Sequence, residues 1–123
     1  MTKDELKKRT KQFGLRVMKL VDALPKSPSG RAVGNQLVRS GTAVGSNYRA
    51  ACRARSRKEF LSRLGVVEEE ADESCYWLEL IVDGELLKPR QVSALLQEAS
   101  ELTRIFAASI KTTRNTLNSS RGR

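Results

Sequence analysis

The chain contains no histidine and only two cysteines, Cys52 and Cys75, among its 123 residues. Without histidine it lacks the commonest general base and the usual partner of a serine or cysteine nucleophile. Two thiols are too few for a tetrahedral zinc site, which takes four ligands from cysteine, histidine or carboxylate. The sequence therefore predicts a protein that is not an enzyme and that holds no metal or other cofactor.

Long apolar runs are also missing. The first ten residues carry charges where a secretory signal needs an apolar segment, and no stretch reaches the roughly 20 apolar residues of a membrane span. We therefore expect a cytoplasmic protein that does not enter a membrane. Because that compartment is reducing, both cysteines are expected to remain free thiols.

Proline and aromatic residues are scarce: prolines occur only at positions 25, 28 and 89, and aromatic residues make up 5% of the chain. The dominant residues are Leu, Ala, Val, Glu, Lys, Arg and Ser, a composition typical of a helical protein. Apolar or small residues recur every three or four positions in four segments, as on the core-facing side of a helix. The four stripes are Leu6, Thr10, Phe13, Val17, Leu20 and Leu24; Val33, Leu37, Gly41, Val44, Tyr48 and Ala51; Phe60, Leu64, Val67, Ala71, Ser74, Leu78 and Ile81; and Val92, Leu95, Ala99, Leu102, Phe106, Ser109 and Thr113.

Turn and capping residues separate the four segments. Two prolines and a glycine follow Leu24 and end the first helix. Ser56 and Glu59 have the spacing of a capping box, which marks the start of the third helix. Pro89 suits the first position of the fourth. Helices are therefore expected over residues 6–24, 31–54, 56–84 and 89–113.

Short connections between helices of similar length favour antiparallel neighbours. The sequence therefore predicts an all-α, up-down-up-down four-helix bundle formed by residues 1–114. The apolar pattern is lost after that, so residues 115–123 are expected to form a frayed or disordered basic tail. In the hairpin of the second and third helices the two cysteines would lie about 20 Å apart, too far for a disulfide.

Charge is unevenly distributed in this topology, although 23 basic and 14 acidic residues give a formal net charge of only +9. One end of the bundle gathers the start of the first helix, the turn between the second and third helices, and the end of the fourth. Fifteen basic residues fall there, against three acidic ones, Asp4, Glu5 and Glu59. The fifteen are Lys3, Lys7, Lys8, Arg9, Lys11, Arg49, Arg53, Arg55, Arg57, Lys58, Arg63, Lys111, Arg114, Arg121 and Arg123.

Such a cationic end favours contact with RNA or DNA, because each phosphate neutralised by Lys or Arg releases counterions. The alternative is a solvated charged surface that serves only solubility. The nearby aromatic residues, Phe13, Tyr48 and Phe60, lie on core stripes, so no platform for base stacking is expected. The candidate phosphate contacts are Lys7, Lys8, Lys11, Arg53, Arg55, Arg57, Lys58 and Arg114.

A run of acidic residues occupies the middle of the third helix: Glu68, Glu69, Glu70, Asp72 and Glu73. Arg39 of the second helix is expected to lie level with Asp72 and Glu73, which predicts a salt bridge between the two helices. A metal site is the weaker alternative, because the ligands of a hard cation converge from several elements.

The second helix also contains Gly34, Gly41 and Gly45, each unfavourable in a helix interior by up to about 1 kcal/mol relative to alanine. We interpret them as positions where a neighbouring helix approaches closely. A ligand contact is the less favoured alternative.

The apolar stripes are wider than the core of one bundle requires, and a wide apolar arc indicates either a fully buried helix or a second interface. A homo-oligomeric interface is the favoured interpretation. Tyr76, Trp77 and Leu80 of the third helix are the candidate interface residues.

Residues 37–48 (LVRSGTAVGSNY), followed by Ser56, Glu59 and Phe60, resemble the core signature of the four helix bundle protein family, which is related to the 23S rRNA-intervening sequence protein. The similarity extends through residues 67–73 and 77–79, and loosely over residues 4–113. Many relatives carry Ile-Ala-Glu-Gly directly after the asparagine, where this chain has residues 48–51 (YRAA). A role of that acidic residue therefore cannot be transferred.

The resemblance implies an up-down bundle that assembles into rings, typically pentamers, with a basic surface for nucleic acid and no catalytic residues. A similar bundle serves as the accessory protein of diversity-generating retroelements and binds a reverse transcriptase. Two functions therefore remain open: an oligomeric module that binds nucleic acid, and a structural oligomer or adaptor that binds a protein such as a reverse transcriptase.

Overall fold

Four long helices make up most of the chain in the computed structural model, which describes residues 1–121. They are α1 (Lys3–Asp22), α2 (Pro28–Ala51), α3 (Arg57–Asp83) and α4 (Pro89–Arg121). Each helix packs extensively against the next one in the chain, and α1 and α4 close the bundle with the smallest contact. The predicted all-α four-helix bundle is confirmed.

The contacts between α1 and α2 show their relative direction. A Cβ atom added at Gly45 would lie 3.3 Å from the backbone of Thr10, and one added at Gly34 would lie 3.2 Å from the side chains of Val21 and Leu24. The later residue of α2 contacts the earlier part of α1, and the earlier residue of α2 contacts its end, so the two helices are antiparallel. Short connections impose the same alternation on α3 and α4, which gives the predicted up-down-up-down order.

The second helix starts and ends three residues earlier than predicted. Ser27 caps it by accepting a hydrogen bond from the amide of Gly30 at 3.1 Å, and Pro28 occupies the first turn, where a missing N–H costs nothing. At the other end α2 stops at Ala51. The next residues form tight turns in which the amide of Ala54 donates to the carbonyl of Ala51 at 3.0 Å.

The third helix begins where the capping residues predicted, but the capping box is only half formed. The Ser56 hydroxyl accepts from the amide of Glu59 at 3.1 Å. The Glu59 carboxylate does not return to Ser56; it accepts from the amide of Arg55 at 3.0 Å. Its second oxygen accepts from Arg63 Nε at 3.2 Å, one helical turn along.

The fourth helix begins at Pro89 as predicted and continues to Arg121, past the expected boundary at residue 114. Residues 115–119 are exposed apart from the half-buried Leu117, which is not part of the core. The last buried core residue of α4 is Ile110, while the helix continues to Arg121. Gly122 and Arg123, which belong to the expected tail, lie outside the described residues.

The core follows the predicted stripes closely. All six residues of the first stripe are buried, five in α1 and Leu24 just after it, with Phe13 and Val17 fully excluded from solvent. The departures occur toward the ends of the helices, where Val33, Phe60, Ser109 and Thr113 are only half-buried. Ile110 takes the core position that the stripe assigned to its neighbour, at 8% exposure.

The interpretation of the glycines in α2 as close-approach sites is confirmed. A Cβ at Gly41 would lie 2.7 Å from Val17 Cγ2, and one at Gly45 would press on the backbone of Thr10. Gly14 of α1 faces the same contact, since a Cβ added there would lie 3.6 Å from the Cα of Thr42. Together these glycines let the backbones of α1 and α2 come close at the middle of the bundle.

Arg39 bridges α2 and α3 as expected, but one of its two partners was assigned wrongly. Its guanidinium donates to Glu73 at 2.6 Å and to Glu70 at 3.0 Å. Asp72 is exposed instead, because residues 70 and 73, three apart, share the face of α3 that meets α2. Within the described part of the chain, no group of three His, Cys, Asp or Glu residues is arranged to hold a metal ion.

Candidate nucleic-acid interface

One end of the bundle collects residues from three distant parts of the chain. A surface cavity of about 370 Å³ opens there, and we call it the cationic cavity. Its charged wall is formed by Lys3 at the start of α1 and by Arg55 and Arg57 at the junction of α2 and α3. Its hydroxyl-bearing wall comes from the last turns of the bundle in α4, with Thr112, Thr113 and Thr116.

The floor of the cationic cavity is apolar and aromatic. Phe60 lines it, and the Lys3 ammonium lies 4.9 Å from the centroid of that ring, a cation–π contact. Cys52 also lines the cavity and contacts Tyr48. Burial, followed by the hydrogen bond with the Cys52 thiol, raises the pKa of the Tyr48 phenol far above its ordinary value, so the phenol stays neutral.

The eight predicted phosphate contacts do not form one patch. Arg55 and Arg57 face the cationic cavity. Arg114 lies elsewhere, beside a different cavity between α3 and α4 that Glu68 and Glu69 also line. The other contacts extend the positive surface along the end of the bundle; they are Lys7, Lys8 and Lys11 in α1, Arg53 before the turn, and Lys58 in the first turn of α3.

Most of these cations remain available to a ligand. Seven of the eight are exposed and have no carboxylate within 4 Å among residues 1–121; they are Lys8, Lys11, Arg53, Arg55, Arg57, Lys58 and Arg114. Lys7 is half-buried and lies 3.8 Å from the exposed Asp4 carboxylate, a weak surface pair. The carboxylates of this end therefore leave most of its charge uncompensated.

Besides Lys7, two basic residues of this end pair with carboxylates within residues 1–121. Arg9 donates to Glu98 at 2.7 and 2.8 Å and to Glu101 at 3.4 Å, which joins α1 to α4. Arg63 pairs with Glu59, whose pKa is lowered by the hydrogen bond from the Arg55 amide and then by the one from Arg63. Neither arginine belongs to the eight candidate contacts. The side chain of Arg121, and Arg123 as a whole, lie outside the described part.

The candidate interface residues on α3 differ in their exposure. Tyr76 is 54% exposed, whereas Trp77 and Leu80 are half-buried. The indole N–H of Trp77 donates to Glu73 at 3.2 Å, and its ring meets Tyr76 edge-on with centroids 5.1 Å apart. Tyr76 is therefore the member of the three that presents most of its surface to a partner.

Several residues of this end were missed in the sequence. Thr112, Thr113 and Thr116 carry no charge, and Phe60 was expected in the core, so none was chosen as a candidate. The cluster of threonines at the end of an amphipathic helix was the one feature of the sequence that could have indicated these residues as part of a site. Lys3 was counted among the basic residues of this end but was not singled out.

The fold and the cationic end define a small basic four-helix-bundle protein. Over residues 1–121, none of the helices combines the length and hydrophobicity needed to cross a bilayer. The family model described as 23S rRNA-intervening sequence protein matches residues 2–108. The chain therefore belongs to the family of 23S rRNA-intervening sequence proteins, in agreement with the resemblance in its sequence.

A solved structure supports the same assignment. A protein of unknown function from the S23 ribosomal protein family of Bacteroides thetaiotaomicron VPI-5482 matches with a TM-score of 0.82 and 30% sequence identity. The match covers 90% of this chain and 99% of that chain. No match to the chain is found among curated proteins.

Proposed function

We propose that the chain binds nucleic acid through contacts between its cationic end and the phosphate backbone. The observation that carries the proposal is the convergence of three chain segments that place exposed, carboxylate-free Lys and Arg side chains around one end of a rigid bundle. Phosphates bound there would release counterions, which gives an affinity that tolerates many sequences and depends on salt.

Phosphate contact is favoured over base reading by the position of the aromatic residues. Phe13 is buried and Tyr48 is 3% exposed, and the Lys3 ammonium lies over the ring of Phe60. Within the described residues, the cationic cavity has a single aromatic ring in its lining, Phe60, and the Lys3 ammonium already lies over it. The family description names 23S rRNA, so RNA is the nucleic acid to test first.

Fluorescence anisotropy with a short RNA tests the proposal. We expect an affinity that falls roughly 50- to 130-fold between about 50 and about 200 mM salt, the loss for four or five phosphate contacts to a single strand. A variant with Lys8→Gln, Lys11→Gln and Arg53→Gln should bind more weakly with a shallower salt dependence. The matched control removes three exposed charges from the opposite end, with Lys26→Gln, Arg31→Gln and Arg90→Gln, and should bind normally.

Equal losses in both triple variants would contradict the proposal, because they would show that net charge alone attracts the RNA. Binding that is absent at low salt, or indifferent to salt, would do the same. Circular dichroism verifies that each variant keeps the helical content of the parent.

A second proposal is that the chain self-associates through α3, and the exposure of the Tyr76 side chain supports it. The resemblance to the four helix bundle family favours a pentamer. Because a ring repeats the cationic end in every subunit, it would strengthen weak phosphate contacts through avidity. Native mass spectrometry measures the oligomeric state, and a monomer at micromolar concentration would contradict this proposal.

A further inference from the structure

The cationic cavity has a lining that fits a single class of ligand. Three cations, Lys3, Arg55 and Arg57, line it together with Ser56 and three threonine hydroxyls, and no acidic residue is part of the lining. Among the described residues, no protein acceptor binds the hydroxyls of Thr112 and Thr113, whereas Thr116 donates to the carbonyl of Thr112 at 3.0 Å. Guanidinium and hydroxyl groups together bind phosphate oxygens well.

The cavity is large enough to take the last nucleotide of a strand. Its volume of about 370 Å³ lies in the range of small-molecule sites, so it admits a group of nucleotide size. A terminal nucleotide can enter with its phosphate first. Its sugar would then contact the apolar floor of the cavity, which Ala51, Ala54 and Phe60 line.

Charge favours the end of the strand as well. A phosphate monoester carries about −1.5 to −2 charges at pH 7 and three acceptor oxygens, whereas an internal diester carries a single negative charge. The cavity also lies where α3 begins, with Arg57 as its first helical residue. The positive end of that helix dipole therefore adds to the potential of the three side chains.

We infer that the cationic cavity binds the phosphorylated end of a nucleic-acid strand. This inference rests on the proposed function and adds a preference for termini that carry a phosphate monoester. Arg55 and Arg57 clamp the phosphate, Lys3 approaches it from α1, and the hydroxyls of Thr112 and Thr113 complete the set of donors.

Anisotropy with three RNAs of one sequence tests the inference. The RNAs have about 12 nucleotides, in the range of single-strand binding sites, and carry a 5′-phosphate, a 3′-phosphate or hydroxyls at both ends. We expect at least one phosphorylated form to bind about fivefold more tightly than the hydroxyl form, which corresponds to one additional charge-assisted contact. The preference should weaken below about pH 6, where the monoester takes up its second proton.

Two charge-matched variants separate the cavity from the rest of the end. Arg55→Gln with Arg57→Gln should abolish the preference for a phosphorylated terminus. Lys8→Gln with Lys11→Gln removes the same charge outside the cavity, so it should weaken binding of all three RNAs while the preference is retained. The measured quantity is the ratio of the affinities for phosphorylated and hydroxyl RNA. A variant that weakens the binding of all RNAs equally leaves this ratio unchanged.

The two cysteines supply a second measurement in the full chain. Cys52 lines the cavity and is half-buried, whereas Cys75 is buried between α3 and α4 at 8% exposure and serves as an internal reference. Phosphorylated RNA should slow the alkylation of Cys52 by N-ethylmaleimide more than hydroxyl RNA does, with no change at Cys75.

The outcomes distinguish the inference from the proposed function. If none of the RNAs binds, the proposed function fails and the inference fails with it. If phosphorylated and hydroxyl RNAs bind equally and protect Cys52 equally, only the inference is overturned. If adenosine 5′-monophosphate at the same concentration protects Cys52 as well as phosphorylated RNA does, the cavity is a site for free nucleotides and the assignment to nucleic-acid ends is overturned.

Discussion

Gly41 shows at the scale of single residues how a missing side chain sets the distance between two helices. A Cβ atom there would lie 2.7 to 3.0 Å from three atoms of Val17, whose short branched side chain is fully buried. Val17 cannot rotate away in a close-packed core, so the backbones would have to separate. Gly65 of α3 is the opposite case, because nothing lies within 4 Å of its added Cβ position.

We predict that Gly41→Ala destabilises the protein by about 1–3 kcal/mol, because the strain of overpacking exceeds the helix propensity gained. Gly65→Ala makes the same chemical change in open space and should stabilise the protein by up to about 1 kcal/mol. Urea unfolding monitored by circular dichroism measures both. Stabilisation by both substitutions would show that α1 and α2 are not in close contact at Gly41.

At the scale of helices, the weakest contact of the bundle is held by an ion pair. α1 and α4 share the smallest packed surface, and Arg9 joins them through Glu98, whose side chain is only 14% exposed. The hydrogen bond from Arg9, which outweighs the opposing effect of burial, lowers the pKa of Glu98 below its ordinary value of 4.5. The charged form of Glu98 is therefore favoured in the folded state.

Because the folded pKa of Glu98 is depressed, its stabilising contribution is present above the unfolded pKa and is lost as the pH falls through the folded pKa. We predict that Glu98→Gln lowers the free energy of unfolding at pH 7 by about 1–2 kcal/mol. The difference from the parent should shrink as the pH drops below 4.5, the ordinary value.

The control for that prediction is Glu69→Gln, which removes an exposed carboxylate that lies in no ion pair within residues 1–121. It should change stability little at any pH. Thermal unfolding at several pH values measures both variants. A difference between Glu98→Gln and the parent that stays constant through the acid range would contradict the assigned role of the pair.

At the scale of the whole molecule, the exposed cations and the candidate interface residues of α3 lie on different parts of the bundle. The exposed cations surround the end where α3 begins, while Tyr76 and Leu80 lie in the second half of α3, toward the other end. Self-association through α3 and nucleic-acid binding at the cationic end are therefore compatible in one assembly.

We predict that Tyr76→Glu converts the proposed oligomer into a monomer at about 10 µM, because it places a charge in an apolar interface. The fold should persist, since Tyr76 is 54% exposed within the single chain. Leu15→Glu is the matched control: Leu15 is an apolar residue of α1 with 49% exposure, and its substitution should leave the oligomer intact. Equal effects of the two substitutions in native mass spectrometry would argue against an interface on α3.

The sequence alone determined the number of helices, their order and nearly all of the core, because a period of 3.6 residues and the capping and turn residues are local signals. It also predicted which three segments carry the positive charge. Helix ends were predicted less accurately. We expected α2 to begin after Gly30, but Ser27 caps it and Pro28 is its first residue, so the helix begins three residues earlier.

Only the tertiary structure decided which of these charged side chains lie close to one another. Rotation of each helix about its axis sets whether a lysine or arginine faces solvent, a carboxylate or a cavity, and that rotation depends on packing against the neighbouring helices. Arg9 was therefore paired with Glu98, Arg114 placed beside Glu68, and Arg55 and Arg57 gathered with Lys3 around one cavity. No local pattern relates residues 3, 57 and 113, because they meet only when the bundle closes.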